Sequence, residues 1–161
     1  MQRRSLFAAA VIAAIGFTLT HPPAQAQAMP EVAKVSDGSI SLHYYRPDGA
    51  YEGWGVHFWE TFEPVKDGKV TGPKAKSDMP IMDIAWTKPM APTGKDGFGA
   101  YWQVKENEFR NAKINYIIHK GDAKDCTKDS NWFVVQGRQA FINSGDCTIH
   151  FTVEEAMKAR K

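Results

Sequence analysis

Residue types that often carry enzymatic chemistry are present, but they form no recognisable catalytic or metal-binding motif. His43, His57, His119 and His150 are scattered along the chain rather than paired at the short spacing of a metal site. No G-x-S-x-G or comparable nucleophile motif occurs. The sequence therefore predicts no catalytic residue, no metal site and no cofactor.

Two sets of carboxylates leave alternatives open. Glu60 and Glu63 are of the residue type that forms a glycosidase acid–base pair, although a solvated pair is the simpler interpretation. Asp122, Asp125 and Asp129 suggest a calcium loop, but their spacing differs from the ligand alternation of an EF-hand. A small hydrolase is therefore the least favoured of the functions considered.

The aromatic residues are more informative, because five tryptophans exceed what a core of this size needs. The run 54–59 (WGVHFW) alternates as a strand does, with Val56 and Phe58 on one face. His57 and Trp59 lie on the other face. Both faces of one strand cannot pack into the same core of a two-layer sandwich. One aromatic face is therefore exposed or covered by a loop.

An exposed aromatic face with polar neighbours suits a sugar. The C–H face of a pyranose stacks on an aromatic ring while its hydroxyls require hydrogen bonds. The alternative is that Trp59 is covered by the predicted surface loop at 63–80 and fills a small satellite cluster. Alternation alone leaves the two interpretations equally favoured.

The start of the chain has the order of a secretory signal peptide. Arg3 and Arg4 precede an apolar run at 6–15, and an A-x-A site ends at Ala26. The apolar run is too short for a membrane span. We expect residues 1–26 to be removed on export, which places the mature protein in the periplasm or outside the cell.

The remaining chain is predicted to hold a leader at 27–38 and a single domain at 39–161. Arg3 and Arg4 account for the whole excess of 20 Lys and Arg over 18 Asp and Glu, so the mature chain is neutral. Nothing in its charge indicates nucleic acid as a partner. Its length excludes a (β/α)₈ barrel, which typically needs about 250 residues.

Cys126 and Cys147 are the two cysteines of the chain, and both lie in the mature part. Export to an oxidising compartment favours a disulfide between them. A metal or redox pair is the alternative, but the spacing is not C-x-x-C and no histidine cluster accompanies it.

The pattern of strands favours an all-β, immunoglobulin-like β-sandwich with a short C-terminal helix. Strands are predicted at 40–45 and 54–59, joined as a hairpin, and at 97–104, 113–119 and 149–152. A further short strand at 132–135 is predicted to lie opposite 140–143, with Gly137 in the turn between them. The stretch 82–90 around Trp86 is ambiguous. Residues 154–160 are the one convincing helix.

Four stretches resemble the pullulanase-associated carbohydrate-binding module, family 41. The longest are 43–49 (HYYRPDG) and 51–59 (YEGWGVHFW), and 99–102 (GAYW) and 117–125 (IIHKGDAKD) agree. The resemblance spans about 39–143, most of the mature chain.

The resemblance implies a non-catalytic β-sandwich that binds α-glucans such as pullulan, amylose and glycogen fragments. The two stacking positions of that family fall on His57 and Trp59, and its polar contacts fall on Lys124 and Asp129. His57 stands where some members carry tryptophan, which makes one stacking surface smaller. Asp129 is followed closely by Trp132, where many relatives have a longer strand and turn.

The sequence thus leads to a secreted α-glucan-binding module, expected to stand free of the glycoside hydrolase barrel that usually accompanies the family. A separate glycoside hydrolase is the expected partner. The main alternative is an extracytoplasmic protein-interaction β-sandwich that has lost sugar binding, which the His57 substitution favours.

Overall fold

The computed structural model describes residues 28–60, 65–66, 69–70, 79–81, 83–109 and 112–160. Its strands are β1 (Ser39–Tyr45), β2 (Gly55–Glu60), β3 (Val65–Lys66), β4 (Lys69–Val70), β5 (Met79–Pro80), β6 (Gly94–Lys95), β7 (Ala100–Lys105), β8 (Lys113–Lys120), β9 (Ala123–Lys124), β10 (Ser130–Phe133) and β11 (Gln139–Asn143). Short 3₁₀ helices occupy Glu106–Glu108 and Val134–Gln136, and helix α1 is Val153–Lys158. The predicted signal peptide lies outside the described residues.

The main strands form two sheets, and among the described residues β3 and β4 pair only with each other. The first sheet has the order β11-β1-β7-β6, and the second has the order β10-β8-β2-β5 with β9 beside β8. β1 is antiparallel to β7 and parallel to β11, whereas β2 is antiparallel to both β8 and β5. The predicted all-β sandwich with a short C-terminal helix is confirmed.

The hydrophobic core lies between the two sheets, and alternate residues of each strand supply it. Removal of a large apolar side chain from water stabilises a fold by about 1.5–3 kcal/mol. The core side chains from the main strands are Ile40, Leu42, Tyr44, Val56, Phe58, Ala100, Trp102, Val104, Ile114, Tyr116, Ile118, Trp132, Ala140 and Ile142. The opposite faces of β2 and β8 are thereby left outside the core.

β1 and β2 form where the alternation predicts them, but the predicted hairpin between them is wrong. β1 belongs to the first sheet and β2 to the second, so the chain crosses between sheets over 46–54. The rings of Tyr44 and Trp54 meet across the core with centroids 6.1 Å apart. Alternation shows which face of a strand is apolar. It does not show whether two such strands pair side by side in one sheet or pack face to face from two sheets.

The pairing of the later strands also differs from the prediction. β10 pairs with β8 in the second sheet and β11 pairs with β1 in the first, so these two strands do not form a hairpin either. The predicted strand at 149–152 is wrong, because only His150 forms an isolated bridge, to Phe141. The predicted helix is confirmed as α1, whose first turn is capped by the Thr152 side chain accepting from the Glu155 N–H at 3.2 Å.

The predicted surface loop at 63–80 falls largely outside the described residues. Its described parts are β3 and β4, which pair with each other, and β5, which extends the second sheet beside β2. Within the described ranges, no helix is long and apolar enough to cross a membrane.

The segment before β1 is packed on the first sheet rather than loose, as the leader was expected to be. It contains no helix or strand over 28–36, but the Gly97 N–H donates to the Glu31 carbonyl at 2.8 Å. The Ala33 N–H donates to Asp96 Oδ2 at 2.9 Å. A Cβ on Gly97 would lie 2.6 Å from the Glu31 carbonyl oxygen, so this contact requires glycine.

Candidate functional site

The outer face of the second sheet carries the candidate site. In the register of β2 and β8, Trp59 faces Asn115, His57 faces Ile117 and Gly55 faces His119. Directly opposed residues of an antiparallel pair project to the same side of a sheet. This side is the one opposite the core positions of both strands.

A tight hairpin brings Lys124 to the same face. Lys120 pairs with Ala123, which leaves a two-residue turn at 121–122 where Gly121 has a φ of +55°. Two-residue hairpins require such left-handed conformations, which glycine adopts without strain. Lys124 consequently lies directly opposite His119.

The chain after Lys124 is bonded to β1 and to the segment that follows β11. Cys126 and Cys147 form the predicted disulfide, with their Cα atoms 5.6 Å apart. The Asp125 carboxylate accepts hydrogen bonds from the Tyr44 hydroxyl at 2.5 Å and the Ser144 hydroxyl at 2.8 Å. Burial and the nearby Asp125 carboxylate raise the pKa of the Tyr44 hydroxyl well above its ordinary value. The tyrosine therefore stays a hydrogen-bond donor at neutral pH.

Trp86 enters the site from a loop. The N–H and carbonyl groups of Ala85 and Lys88 bond to each other at 3.2 and 2.8 Å, closing a tight turn around Trp86. Met90 then pairs with Val56 of β2 at 3.0 and 2.8 Å, which anchors the turn to the second sheet.

Gly55 allows this turn to approach the sheet. A Cβ at Gly55 would lie 2.8 Å from the Pro89 Cβ and 3.0 Å from the Met90 carbonyl oxygen. Any larger residue would push the turn away from β2. Gly55 is opposite His119, so the Pro89–Met90 end of the turn packs against a strand position that has no side chain.

We call the group of Trp86, His57, His119 and Lys124 the ring cluster. The indole of Trp86 stacks on the imidazole of His119 with centroids 4.0 Å apart and planes inclined by 4°. His57 lies 5.9 Å from Trp86 at an inclination of 58°, and Lys124 Nζ lies 5.4 Å from the indole centroid. The Trp86 Nε1–H donates to Asp122 Oδ1 at 3.1 Å.

His119 is fully buried beneath Trp86. Its Nδ1–H donates to the Gly121 carbonyl oxygen at 2.7 Å. This bond links the imidazole orientation to the turn that carries Asp122. The ring cluster and the hairpin turn therefore hold each other in place.

The sequence-predicted site residues differ in their environments. His57 is half-buried and Lys124 is exposed, and both belong to the ring cluster. Trp59 lies on the same face, with its ring 5.7 Å from that of His57, but it is only 6% exposed. Asp129 is exposed immediately before β10, and among the described residues no hydrogen bond or ion pair joins it to Lys124. The ring of Trp59 is therefore covered, as in the alternative interpretation of the sequence, and the part these four residues play in sugar binding stays a prediction.

Sequence reasoning missed Trp86, His119, Asp122 and Gly55 as members of the site. The available signal was the number of tryptophans, which exceeded the needs of the core. Periodicity gave no help at Trp86, because the residue lies in a turn rather than in a strand.

A second polar group has the geometry of a Ser–His–Asp relay. Ser41 Oγ lies 2.8 Å from His43 Nε2, and the His43 Nδ1–H donates to Asp96 Oδ2 at 2.9 Å. Ser41 is 1% exposed in the middle of β1, where substrate does not reach it. Burial favours the neutral Asp96 carboxyl, but hydrogen bonds from His43 and the Ala33 and Gly99 N–H groups outweigh it and lower its pKa to about 2. This group fastens the segment before β1 to the first sheet.

Other chemistry considered from the sequence finds limited support. Glu63 and the Glu60 side chain lie outside the described residues. Within the described part of the chain, no three His, Cys, Asp or Glu residues are grouped to hold a metal ion.

The two sheets and the ring cluster define a β-sandwich that carries an aromatic and charged surface on the outer face of one sheet. The family model described as the bacterial pullanase-associated domain matches residues 38–151. The chain belongs to this family, which confirms the resemblance drawn from the sequence motifs.

Similar proteins are larger than this chain. An alpha-amylase of Streptomyces lividans is 32% identical over 103 residues, which cover 64% of this chain and 9% of the amylase. The structure of PulA from Klebsiella oxytoca has a TM-score of 0.60 at 19% identity, covering 82% of this chain and 12% of PulA. A structure of streptococcal family 41 carbohydrate-binding modules, described for alpha-glucan recognition, has a TM-score of 0.53 at 17% identity, covering 76% of this chain and 51% of that one. The chain therefore corresponds to a small part of the curated relative.

Proposed function

We propose that this chain is a non-catalytic module that binds α-glucans such as pullulan, amylose, glycogen or maltooligosaccharides. One observation carries the proposal: His57, Trp59 and Lys124, which lie on β2 and β9, converge on the outer face of the second sheet. Membership of the pullanase-associated family and similarity to modules described for alpha-glucan recognition support it.

In this proposal different residues supply the aromatic ring, the hydrogen-bond donor and the hydrogen-bond acceptor of the site. His57 offers a half-buried ring, and Lys124 offers an exposed donor for sugar hydroxyls. The Trp59 ring is covered, and its part in the site is to pack beside the His57 ring and support it. Asp129 offers an exposed carboxylate as an acceptor. Polar groups of the site that a wrong sugar leaves unpaired would cost about 1–3 kcal/mol each, which is a source of selectivity.

The burial of Trp59 favours a second candidate, a protein-interaction sandwich that has lost sugar binding. Affinity electrophoresis separates the two. We expect the protein to be retarded in gels that contain amylopectin or pullulan, compared with gels that contain no polysaccharide or hydroxyethylcellulose. Lys124→Ala should reduce the retardation, whereas Lys158→Ala on α1 serves as the matched control. Equal mobility of the unmodified protein in all gels would favour the protein-interaction function.

We further propose that residues 1–26 direct export and are removed, and that a separate glycoside hydrolase acts with the module. The residue pattern at the start of the chain and the disulfide support export. Intact-mass measurement of the exported protein tests the cleavage site. A mature mass that still includes Arg3 and Arg4 would contradict it.

A further inference from the structure

Trp86 is the tryptophan that the core does not account for. Trp102 and Trp132 are buried in the core, and Trp54 packs against it with the Arg46 guanidinium 4.5 Å from its ring. Trp59 is on the outer face but is covered. Trp86 is half-buried, packs in neither core cluster, and lies on the face that carries Lys124.

Three contacts fix the indole of Trp86 before any ligand arrives. His119 stacks under one face at 4.0 Å, Asp122 accepts from Nε1 at 3.1 Å, and the turn itself is anchored to Val56. A ring that is already held loses little conformational entropy when it is bound. Because His119 covers one face of the indole, a sugar can stack only on the opposite face.

Polar groups of both kinds flank the ring. Lys124 Nζ lies over the ring, 5.4 Å from the indole centroid, on an exposed side chain that can donate hydrogen bonds to a sugar. The exposed Asp122 carboxylate accepts one hydrogen bond from the indole and keeps further acceptor capacity. An apolar plane between a donor and an acceptor matches a pyranose, which has a C–H face and hydroxyls around its edge.

We propose that Trp86 is the principal sugar-stacking residue of this site, and that Trp86 and His57 together receive two successive glucose units of an α-1,4-linked chain. The inference rests on the proposed α-glucan binding and names the residue that carries it. The planes of the two rings are inclined by 58°, with centroids 5.9 Å apart. Neighbouring units of an α-1,4 glucan turn relative to each other, whereas a β-1,4 glucan forms a flat ribbon. The inclined pair therefore selects the curved chain.

Calorimetric titration with maltotriose tests the inference on the oxidised protein, with cellotriose as the sugar control. Trp86→Ala is the test variant. Phe133→Ala is the matched control, because Phe133 is 45% exposed on β10 of the same sheet, paired with Lys113. Lys113 is six residues along β8 from His119, or about 20 Å.

We expect Trp86→Ala to weaken maltotriose binding at least about tenfold. Its melting temperature should stay within about 3 °C of the unmodified protein, since the ring lies outside both core clusters. Phe133→Ala should leave both quantities unchanged, and cellotriose should bind to none of the proteins.

Other outcomes overturn the inference in distinguishable ways. Unchanged maltotriose binding by Trp86→Ala would refute the role of Trp86 while the proposed function stands. A fall in melting temperature of more than about 10 °C would assign Trp86 to packing. Equal affinity for cellotriose would refute the selection of a curved chain. Absence of any maltooligosaccharide binding by the unmodified protein would remove the proposed function itself.

Discussion

The contribution of a single residue to this site depends on how far its side chain is covered. Trp59 and Trp86 are both tryptophans near His57, yet Trp59 is 6% exposed in an internal strand and Trp86 is half-buried in a turn. The same side chain therefore contributes mainly to stability at one position and offers a ring surface at the other. Substitution separates these contributions, because a buried ring leaves a cavity and an accessible one does not.

Trp59→Ala should lower the free energy of unfolding by about 3–5 kcal/mol. The ring is covered, so its removal leaves a cavity beside His57. Urea unfolding of the variant measures the effect, with Phe133→Ala as the exposed aromatic control. Preserved stability combined with lost maltotriose binding would show instead that Trp59 itself stacks on sugar.

Asp96 should make the protein sensitive to acid. Its folded-state pKa is about 2, below the ordinary value of about 3.9, so the carboxylate stabilises the fold above pH 4. This contribution, about 2 kcal/mol, is lost as the pH falls from about 4 to 2. Unfolding in urea across this range should show a steeper loss for the unmodified protein than for Asp96→Asn. Parallel profiles for the two proteins would contradict this assignment.

At the scale of the elements, the site depends on two connections. The turn at 83–90 packs against Gly55 and places Trp86 on His119, and the hairpin of β8 and β9 places Lys124 opposite His119. Neither connection is a long strand, so the position of each depends on contacts with other parts of the chain. Met90 anchors the turn, and the disulfide follows the hairpin.

Loss of the disulfide should loosen the hairpin as well as the fold. The bond spans 21 positions, and on the chain-entropy model its removal costs about 3 kcal/mol. We expect Cys126→Ser with Cys147→Ser to lower the unfolding free energy by that amount and to weaken maltotriose binding. Alkylation of the unmodified exported protein without reductant should add no mass. Two alkylated thiols would show that the bond does not form.

At the scale of the whole molecule, most side chains on the outer faces of both sheets are buried, but different parts of the chain pack on the two faces. The segment before β1 and helix α1 cover the first sheet, where Phe98, Phe141 and Ala156 form a second small core cluster. The ring cluster lies on the second sheet, away from this cover. The Ser41 relay geometry is enclosed on the first sheet and therefore does not meet a polysaccharide.

The purified protein should release no reducing sugar from pullulan or maltooligosaccharides. Ser41 is buried, and the sequence contains no recognisable nucleophile motif. Incubation with substrate followed by a reducing-end assay checks this, with an added pullulanase as positive control. Sugar release that a point change in this chain abolishes would contradict the prediction.

The sequence alone determined features that depend on near neighbours or on composition. Alternation assigned the two faces of β2, because the side-chain period of a strand is local. Two cysteines and a predicted signal peptide indicated the disulfide, and the motifs at 43–59 predicted the family. The all-β sandwich followed from the number and spacing of the strands.

Only the tertiary structure decided which strands are neighbours and which side chains meet. Trp86 and His119 are 33 positions apart and stack because the turn, Gly55 and β8 are brought together by the second sheet. The faces of β2 were predicted correctly, whereas its pairing with β1 in a hairpin was wrong. An apolar face specifies that it must be covered, but the covering surface is chosen by packing over the whole chain. The burial of Trp59 and the accessibility of Trp86 follow from that packing.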